Sequence, residues 1–183
     1  MSEGELHFHY VSTREKAREM AAKHDRFWVS NCGCREGGEG CKRSRADVCL
    51  IFRSDAGASG TGLKEISRAE MEEIFQEAGE KHLVSRPFRN GSDFSKTDGV
   101  CFCCDDCCGY FKYPENSICD RGDLMEKTDM EGCTHCTDCA AVCYFQARKM
   151  VKGLLVVAHK NCYGCGLCLE VCPVDCIEMV ERK

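Results

Sequence analysis

The sequence predicts an α+β protein with two parts: a mixed, metal-stabilised N-terminal domain and a smaller, duplicated C-terminal domain. The 183 residues include 19 cysteines, a density that indicates stabilisation by metals or disulfides rather than by a large core. The cysteines after residue 130 repeat at fixed spacing, whereas the earlier ones do not. We expect an N-terminal domain over residues 1–112, a linker over 113–124 and a C-terminal domain over 125–183.

Helix and strand patterns are both present in the N-terminal domain. Helices are predicted over 12–24 and 68–81. A capping-box pattern marks the start of each, at Ser12 with Glu15 and at Ser67 with Glu70. Apolar residues recur at helical spacing along both segments. The apolar runs 50–52 and 82–84 predict short strands. Two stretches rich in small or polar residues are predicted as connections: 54–62 and 89–99.

Charge and composition exclude several classes of protein. The net charge is −5, and residues 101–183 carry 13 acidic against 9 basic side chains, so binding to a phosphate backbone is disfavoured. No apolar run reaches the length that a membrane span needs, and the N-terminus has no export signal. We therefore expect a cytoplasmic protein whose thiols are reduced. An odd number of cysteines also fits metal binding better than disulfides.

The C-terminal cysteines form two copies of the motif C-x2-C-x2-C-x3-C. Each cysteine of the second copy lies 29 residues after its counterpart in the first, which indicates an internal duplication. This spacing is typical of cubane iron–sulfur clusters, whereas structural zinc sites use two separated cysteine pairs. The copies comprise Cys133, Cys136, Cys139 and Cys143, and then Cys162, Cys165, Cys168 and Cys172.

On these motifs, residues 125–181 resemble a bacterial-type ferredoxin with two 4Fe–4S clusters. The resemblance implies a ferredoxin-like fold of duplicated strand–loop–helix units, with strands near 124–126, 154–157 and 177–180. In that family the fourth cysteine of each run binds the other cluster. The implied ligand sets are Cys133, Cys136, Cys139 and Cys172 for one cluster, and Cys162, Cys165, Cys168 and Cys143 for the other.

Three residues depart from the ferredoxin pattern. Pro173 follows Cys172, but Tyr144 follows Cys143, and we expect the tyrosine to shield its cluster as the proline does. His135 lies inside the first cysteine loop and is interpreted as an ordinary exposed histidine. Cys176 matches no ligand position and is interpreted as a buried thiol.

The nine cysteines between residues 32 and 108 match no standard ferredoxin run. We expect eight of them to bind one or two further iron–sulfur clusters, with structural zinc as the alternative. Adjacent cysteines such as Cys103 and Cys104 point in different directions, which favours two centres over one. Cys101 is interpreted as the spare thiol, and Cys119 has no assigned role. The eight expected ligands are Cys32, Cys34, Cys41, Cys49, Cys103, Cys104, Cys107 and Cys108.

Residues 25–110 also resemble the N-terminal part of uncharacterised ferredoxin-like proteins of anaerobes. The resemblance rests on a Cys-x-Cys-Arg sequence at Cys32, the Val-Cys-Leu-Ile-Phe run at Cys49, the Ile-Ser-Arg-Ala-Glu run and Cys-x-Cys-Cys-x2-Cys-Cys-Gly from Cys101. It implies bound metal and an anaerobic setting, and it implies no particular activity.

These features predict an iron–sulfur electron carrier or electron-transfer subunit. A cluster with four thiolates is coordinatively full, so it passes single electrons and binds no substrate. The acidic C-terminal half favours redox partners with a basic docking patch. Two alternatives remain: a redox enzyme with substrate at an unusual N-terminal cluster, and a redox-sensing regulator. The sequence shows no nucleotide loop or acid–base constellation for the first and no basic recognition face for the second, and it says nothing about the oligomeric state.

Overall fold

A five-stranded antiparallel sheet forms the N-terminal part of the protein. The computed structural model describes residues 6–37, 40–53, 62–113 and 119–182. The strands lie in the order β3-β1-β2-β5-β4. They are β1 (Phe27–Ser30), β2 (Cys49–Ile51), β3 (Lys64–Ile66), β4 (Val84–Arg89) and β5 (Thr97–Cys103).

Two longer helices cover one face of this sheet. They are α1 (Arg14–Ala22) and α3 (Arg68–Glu80), and short helical turns follow cysteines at α2 (Gly33–Glu36) and α4 (Gly109–Lys112). Met71, Ile74, Phe75 and Ala78 of α3 are buried, as the predicted apolar stripe requires. They pack in one core with apolar residues of β1, β2 and β5.

The two faces of the sheet differ in chemistry because side chains alternate along a strand. On β5, Val100 and Phe102 enter the core beneath the helices. Cys101 and Cys103 therefore lie on the opposite face. Arg86 of β4 is the registered partner of Cys101, so a buried arginine joins the thiols on that face.

The C-terminal part consists of two small hairpin-like sheets and short helices. β6 (Leu124–Thr128) pairs with β9 (Ile177–Glu181), and β7 (Arg148–Val151) pairs with β8 (Leu154–Val157). The helices α5 (Asp138–Ala141) and α6 (Leu167–Glu170) follow the cysteine loops, with a 3₁₀ turn at His159–Asn161. The mixed helix and strand content agrees with the α+β prediction.

The start of the first helix differs from its prediction. Ser12 and Glu15 were expected to cap it, but Thr13 is the N-cap and accepts a hydrogen bond from the Lys16 amide. The Ser12 amide instead donates to the Ser85 carbonyl at 3.1 Å, which ties the chain to β4. The capping box at Ser67 and Glu70 is present at α3, as predicted.

Strand β5 has no counterpart among the strands predicted from the sequence. Residues 97–99 were included in a polar connection, and the cysteine-rich segment after them was given no secondary structure. The connection is in fact the turn at 90–96, where the Asn90 side chain accepts hydrogen bonds from the Ser92 and Asp93 amides. The left-handed backbone of His82 (φ 50°) ends α3 and delays β4 to Val84. Residues 54–61 and 114–118 of the predicted connection and linker lie outside the described residues.

The segment after residue 118 joins the two parts of the protein. The Asp120 amide donates to the His9 carbonyl at 2.9 Å, and the Gly122 amide donates to the Tyr163 carbonyl at 2.9 Å. Val11 and Val84 share a small apolar core with Leu167 of α6. Among the described helices, none combines the length and apolar character that crossing a bilayer would require.

Candidate functional site

Four cysteines from both motifs line one cavity in the C-terminal part. Leu155 and Ile177 also line this cavity. Three of its thiols come from the first loop and one from the end of α6, so the two motifs meet here. The predicted ligands on its wall are Cys133, Cys136, Cys139 and Cys172.

A second cavity has the reciprocal composition. Its wall is formed by the three cysteines of the second loop together with Cys143 from the end of α5. Phe145, Tyr163 and Leu167 make much of the rest apolar. The eight thiols are therefore divided between two similar cavities, and this one is lined by Cys143, Cys162, Cys165 and Cys168.

The backbone around the cavities repeats with the same 29-residue interval as the cysteines. Left-handed residues occur at matching places in the two loops, and the copies place α5 and α6 at equivalent positions. Glycine occupies two of these positions in the second copy, since glycine adopts positive φ without a steric cost. The pairs are His135 with Gly164, Thr137 with Gly166, and Gln146 with Asp175.

Arg148 of β7 lies between the two groups of thiols and was missed by the sequence analysis. Its guanidinium donates to Cys139 Sγ at 3.2 Å and also interacts electrostatically with Cys168. It forms an ion pair with Glu126, and both side chains are 1% exposed. A buried cation beside two sets of thiolates offsets the charge that metal binding concentrates there.

His135 and Cys176 have closer contacts than the sequence indicated. His135 Nδ1 accepts a hydrogen bond from the Leu155 amide at 3.0 Å, so the ring is fixed against β8 rather than free on the surface. Cys176 is half-buried and lies on the wall of the first cavity, with its Sγ 3.6 Å from Cys172 Sγ. The cysteine spacing carries no signal for either contact.

An aromatic group separates the second cavity from the N-terminal sheet. Phe145 and Tyr163 stack with ring centroids 4.4 Å apart, and Tyr110 of α4 lies edge-on to both. Tyr144 lies beside them, half-buried, with the Arg43 guanidinium 5.4 Å above its ring. Burial raises the pKa of Tyr144, so its phenol stays neutral.

The N-terminal thiols fall into two groups on different sides of β5. In the first, Cys41, Cys104 and Cys107 have sulfur atoms within 4.8 Å of one another. The Cys41–Cys104 and Cys104–Cys107 sulfur distances are 3.5 and 3.6 Å. Arg35, which is 3% exposed, interacts electrostatically with this group and with Cys32.

The second group surrounds Arg86 on the sheet face away from the helices; we call it the sheet-face thiols. The Arg86 guanidinium donates to Cys103 at 3.7 Å and Cys108 at 3.4 Å. Cys101 Sγ lies 3.8 Å from Cys49 Sγ and 3.8 Å from His9 Nε2. Its members are Cys49, Cys101, Cys103, Cys108 and Cys119.

Electrostatics favour the anionic form at one sheet-face thiol. The hydrogen bond from Cys103, together with the positive charge of Arg86, lowers the pKa of Cys108 to about 5. Burial, followed by the charge of Arg86, lowers the pKa of His9 to about 4. A thiolate and a neutral imidazole are the forms of these side chains that bind metals.

The cysteines in the two N-terminal groups are not the same eight that the sequence predicted as metal ligands. Cys103 and Cys104 lie in different groups, as their adjacent positions predicted. Cys101 and Cys119, which had been left without a role, both belong to the sheet-face thiols. Cys34 is exposed, and none of the close sulfur contacts described above includes it.

Each thiol group contains a buried arginine with a free donor. Arg35, Arg86 and Arg148 are 3%, 6% and 3% exposed, and the Nε–H of each has no hydrogen-bond partner among the described protein atoms. Buried N–H groups are rarely left unpaired. Thiolates and the sulfides of a cluster accept such bonds, so the residues present fit bound metal–sulfur centres.

Comparison with known proteins identifies the C-terminal segment. Residues 126–179 match the family model of the 4Fe-4S dicluster domain. A tetrathionate reductase subunit of Salmonella typhimurium (strain LT2) is 41% identical over 46 residues. That match covers 24% of this chain and 18% of the relative, so the chain spans less than a fifth of that protein. Residues 126–179 therefore form a 4Fe–4S ferredoxin-like segment.

Replacing Gly164 tests the shape of the second cysteine loop. A Cβ at Gly164 would lie 2.1 Å from the Leu124 carbonyl oxygen, so we expect Gly164→Ala to lower the thermal midpoint and the iron content. Gly153→Ala is the matched control, since Gly153 has the same left-handed φ and nothing within 4 Å. The control should cost only about 1–2 kcal/mol. Equal effects of the two substitutions would contradict the close approach.

Replacing Arg148 tests its electrostatic role. The reduced form of a cluster carries one more negative charge, so loss of the buried cation and its bond to Cys139 should lower a reduction potential in Arg148→Met. Lys149→Met, which removes an exposed cation from the next residue, should leave the potentials nearly unchanged. Anaerobic redox titration measures both variants. An equal shift of the reduction potential in both variants would show that the potential depends only on the net charge of the protein, and it would contradict the role of Arg148.

Proposed function

We propose that the protein relays single electrons through two 4Fe–4S clusters in its C-terminal domain. The first takes Cys133, Cys136, Cys139 and Cys172, and the second takes Cys162, Cys165, Cys168 and Cys143. The observation that carries this proposal is the reciprocal division of the two motifs between two cavities. When bound, the clusters supply reversible one-electron chemistry; the protein residues hold them, exclude water and set their potentials.

The two clusters have different surroundings: one lies near the protein surface and the other faces the N-terminal half. Cys136, on the first cavity, is exposed, and Val174 beside it is 44% exposed. The second cavity faces the aromatic group and the N-terminal sheet instead. The first cluster is therefore the point of exchange with a partner protein, and the second connects to the N-terminal half.

A further iron–sulfur cluster at the sheet-face thiols extends the relay. These thiols surround Arg86, whose guanidinium lies 4.4 Å from the Tyr110 ring of the aromatic group. Among the described residues, no three of their sulfur atoms lie within 4.8 Å of one another as those of a mononuclear site do, and Cys49 and Cys101 form a pair 3.8 Å apart. Electrons would pass between this centre and the second C-terminal cluster across Tyr110, Phe145 and Tyr163.

The exposed edge of the first cavity favours a partner with basic residues. Exposed carboxylates lie on the loops around it, at Asp129, Glu131, Asp138 and Asp175. Complementary charge accelerates docking and leaves the complex weak enough to separate after transfer. The relative is named as a subunit of a reductase. The chain could therefore perform the same electron transfer as a subunit of a larger redox complex.

Cysteine substitutions distinguish cluster ligands from neighbouring thiols. Cys172→Ala should remove about four irons per chain, because it opens the first cluster. Cys176→Ala changes a thiol on the same wall and should retain the wild-type iron and sulfide content. Anaerobic metal and sulfide analysis provides the counts. Iron loss in Cys176→Ala with none in Cys172→Ala would reverse the assignment.

The sheet-face cluster is tested in the same way. The wild-type chain should contain about twelve irons in clusters rather than about eight. Cys108→Ala should lose about four of them, whereas Cys34→Ala, at an exposed thiol, should lose none. A wild-type count near eight that Cys108→Ala leaves unchanged would eliminate this cluster and leave the C-terminal pair intact.

Ionic strength tests the docking proposal. Raising the salt from about 0.1 to 1 M shortens the Debye length from about 10 to 3 Å. Anaerobic stopped-flow reduction of a basic cytochrome should therefore slow at least about tenfold. Replacing the four carboxylates with amides should abolish most of this salt dependence, and Glu73→Gln on the distant face of α3 should preserve it. A rate independent of salt in the wild type would contradict docking through this edge.

A further inference from the structure

The sulfur atoms of Cys41, Cys104 and Cys107 are spaced for one metal ion rather than for a cubane cluster. Two of their separations are 3.5 and 3.6 Å. Four thiolates bound tetrahedrally at about 2.3 Å have sulfur–sulfur distances of about 3.8 Å. In a cubane each thiolate binds a different iron, so the sulfur atoms stand further apart.

The C-terminal cavities provide the comparison within the same molecule. Among the described residues, no three of the eight proposed cluster ligands approach one another within 4.8 Å, whereas Cys41, Cys104 and Cys107 do. The two kinds of thiol group therefore differ in geometry as cubane and mononuclear sites differ.

Two loops are fastened together so that the three thiols converge. The Lys42 amide donates to Asp106 Oδ2 at 2.8 Å, and Arg43 forms an ion pair with Asp105 at 2.8 Å. These contacts bring the loop that carries Cys41 against the turn that carries Cys104 and Cys107. The Cys-x2-Cys spacing in that turn is itself common in mononuclear thiolate sites.

Cys32 is the best-placed fourth ligand. It is half-buried at the N-terminus of α2, and the Arg35 guanidinium interacts electrostatically with Cys32, Cys41 and Cys107 together. Arg35 is held by hydrogen bonds to Ser44 and to the Phe102 carbonyl. The Arg35 Nε–H has no hydrogen-bond partner among the described residues, which is a second indication that a thiolate acceptor belongs there. A divalent ion bound by four thiolates carries a charge of −2, and the Arg35 guanidinium offsets part of it.

We propose that Cys32, Cys41, Cys104 and Cys107 bind a single divalent thiophilic ion, zinc or iron. The site would be coordinatively closed, so its role is to hold the two loops together at the end of β5, next to Tyr144. The proposal stands apart from the C-terminal relay, because it shares no ligand with either cavity.

Metal analysis of the anaerobically purified full chain tests the proposal. Cys107→Ser and Cys32→Ser should each lose one metal equivalent, zinc or iron, without loss of sulfide. Cys34→Ser is the matched control, two residues from Cys32, and should keep the wild-type content. Zinc and iron counts identify which ion is bound. Loss of about four irons together with sulfide, or no metal loss in either variant, would overturn the proposal.

X-ray absorption of the wild-type protein gives a result that does not depend on folding of a variant. If zinc is present, its absorption edge should report four sulfur neighbours at about 2.3 Å and no nearby iron. If iron is the bound ion, Mössbauer spectra should contain one mononuclear tetrathiolate component beside the clusters. Absence of both signals would overturn the proposal even if every variant unfolded.

Discussion

Compensation of buried thiolate charge by buried arginine is the constraint on which the rest of the structure depends. Metal-bound thiolates are anionic, and an uncompensated charge is costly away from water. Arg35, Arg86 and Arg148 each occupy one of the thiol-rich regions and are nearly inaccessible to solvent. Among the residues that the structure describes, only Arg148 has a close carboxylate partner, Glu126. Arg35 and Arg86 have thiols as their nearest acidic groups.

This constraint divides the protein into a conventional apolar core and a thiol-rich remainder. The helices α1 and α3 bury an apolar face against the sheet, as in many small domains. The opposite face carries Cys101, Cys103 and Arg86, which would be poor core material without bound metal. The apolar core within the C-terminal part is small, and a second small core is shared with Val11 and Val84. The junction between the parts is aromatic, and Tyr110 there lies 4.4 Å from the Arg86 guanidinium.

The sequence predicted the features that rest on periodicity and missed those that rest on long-range contacts. The α3 helix and its capping box were predicted because both signals are local. The division of the C-terminal cysteines was implied by the ferredoxin resemblance, and their surroundings were not. Strand β5 was missed because cysteines and glycine interrupt its apolar alternation. Arg148 and Cys119 could not be assigned because their partners are distant in sequence, and spacing alone did not group Cys41 with Cys104 and Cys107.

The pairing of two clusters within one small domain is tested most directly by electron paramagnetic resonance of the fully reduced, full-length protein. Cys139 lies in the short helix α5, Cys143 follows two residues after its end, and the two line different cavities, so the two proposed clusters would be close neighbours. We expect the reduced spectrum to contain two paramagnetic centres broadened by mutual magnetic interaction. A spectrum with one isolated centre in the C-terminal domain, or with none, would contradict the paired relay.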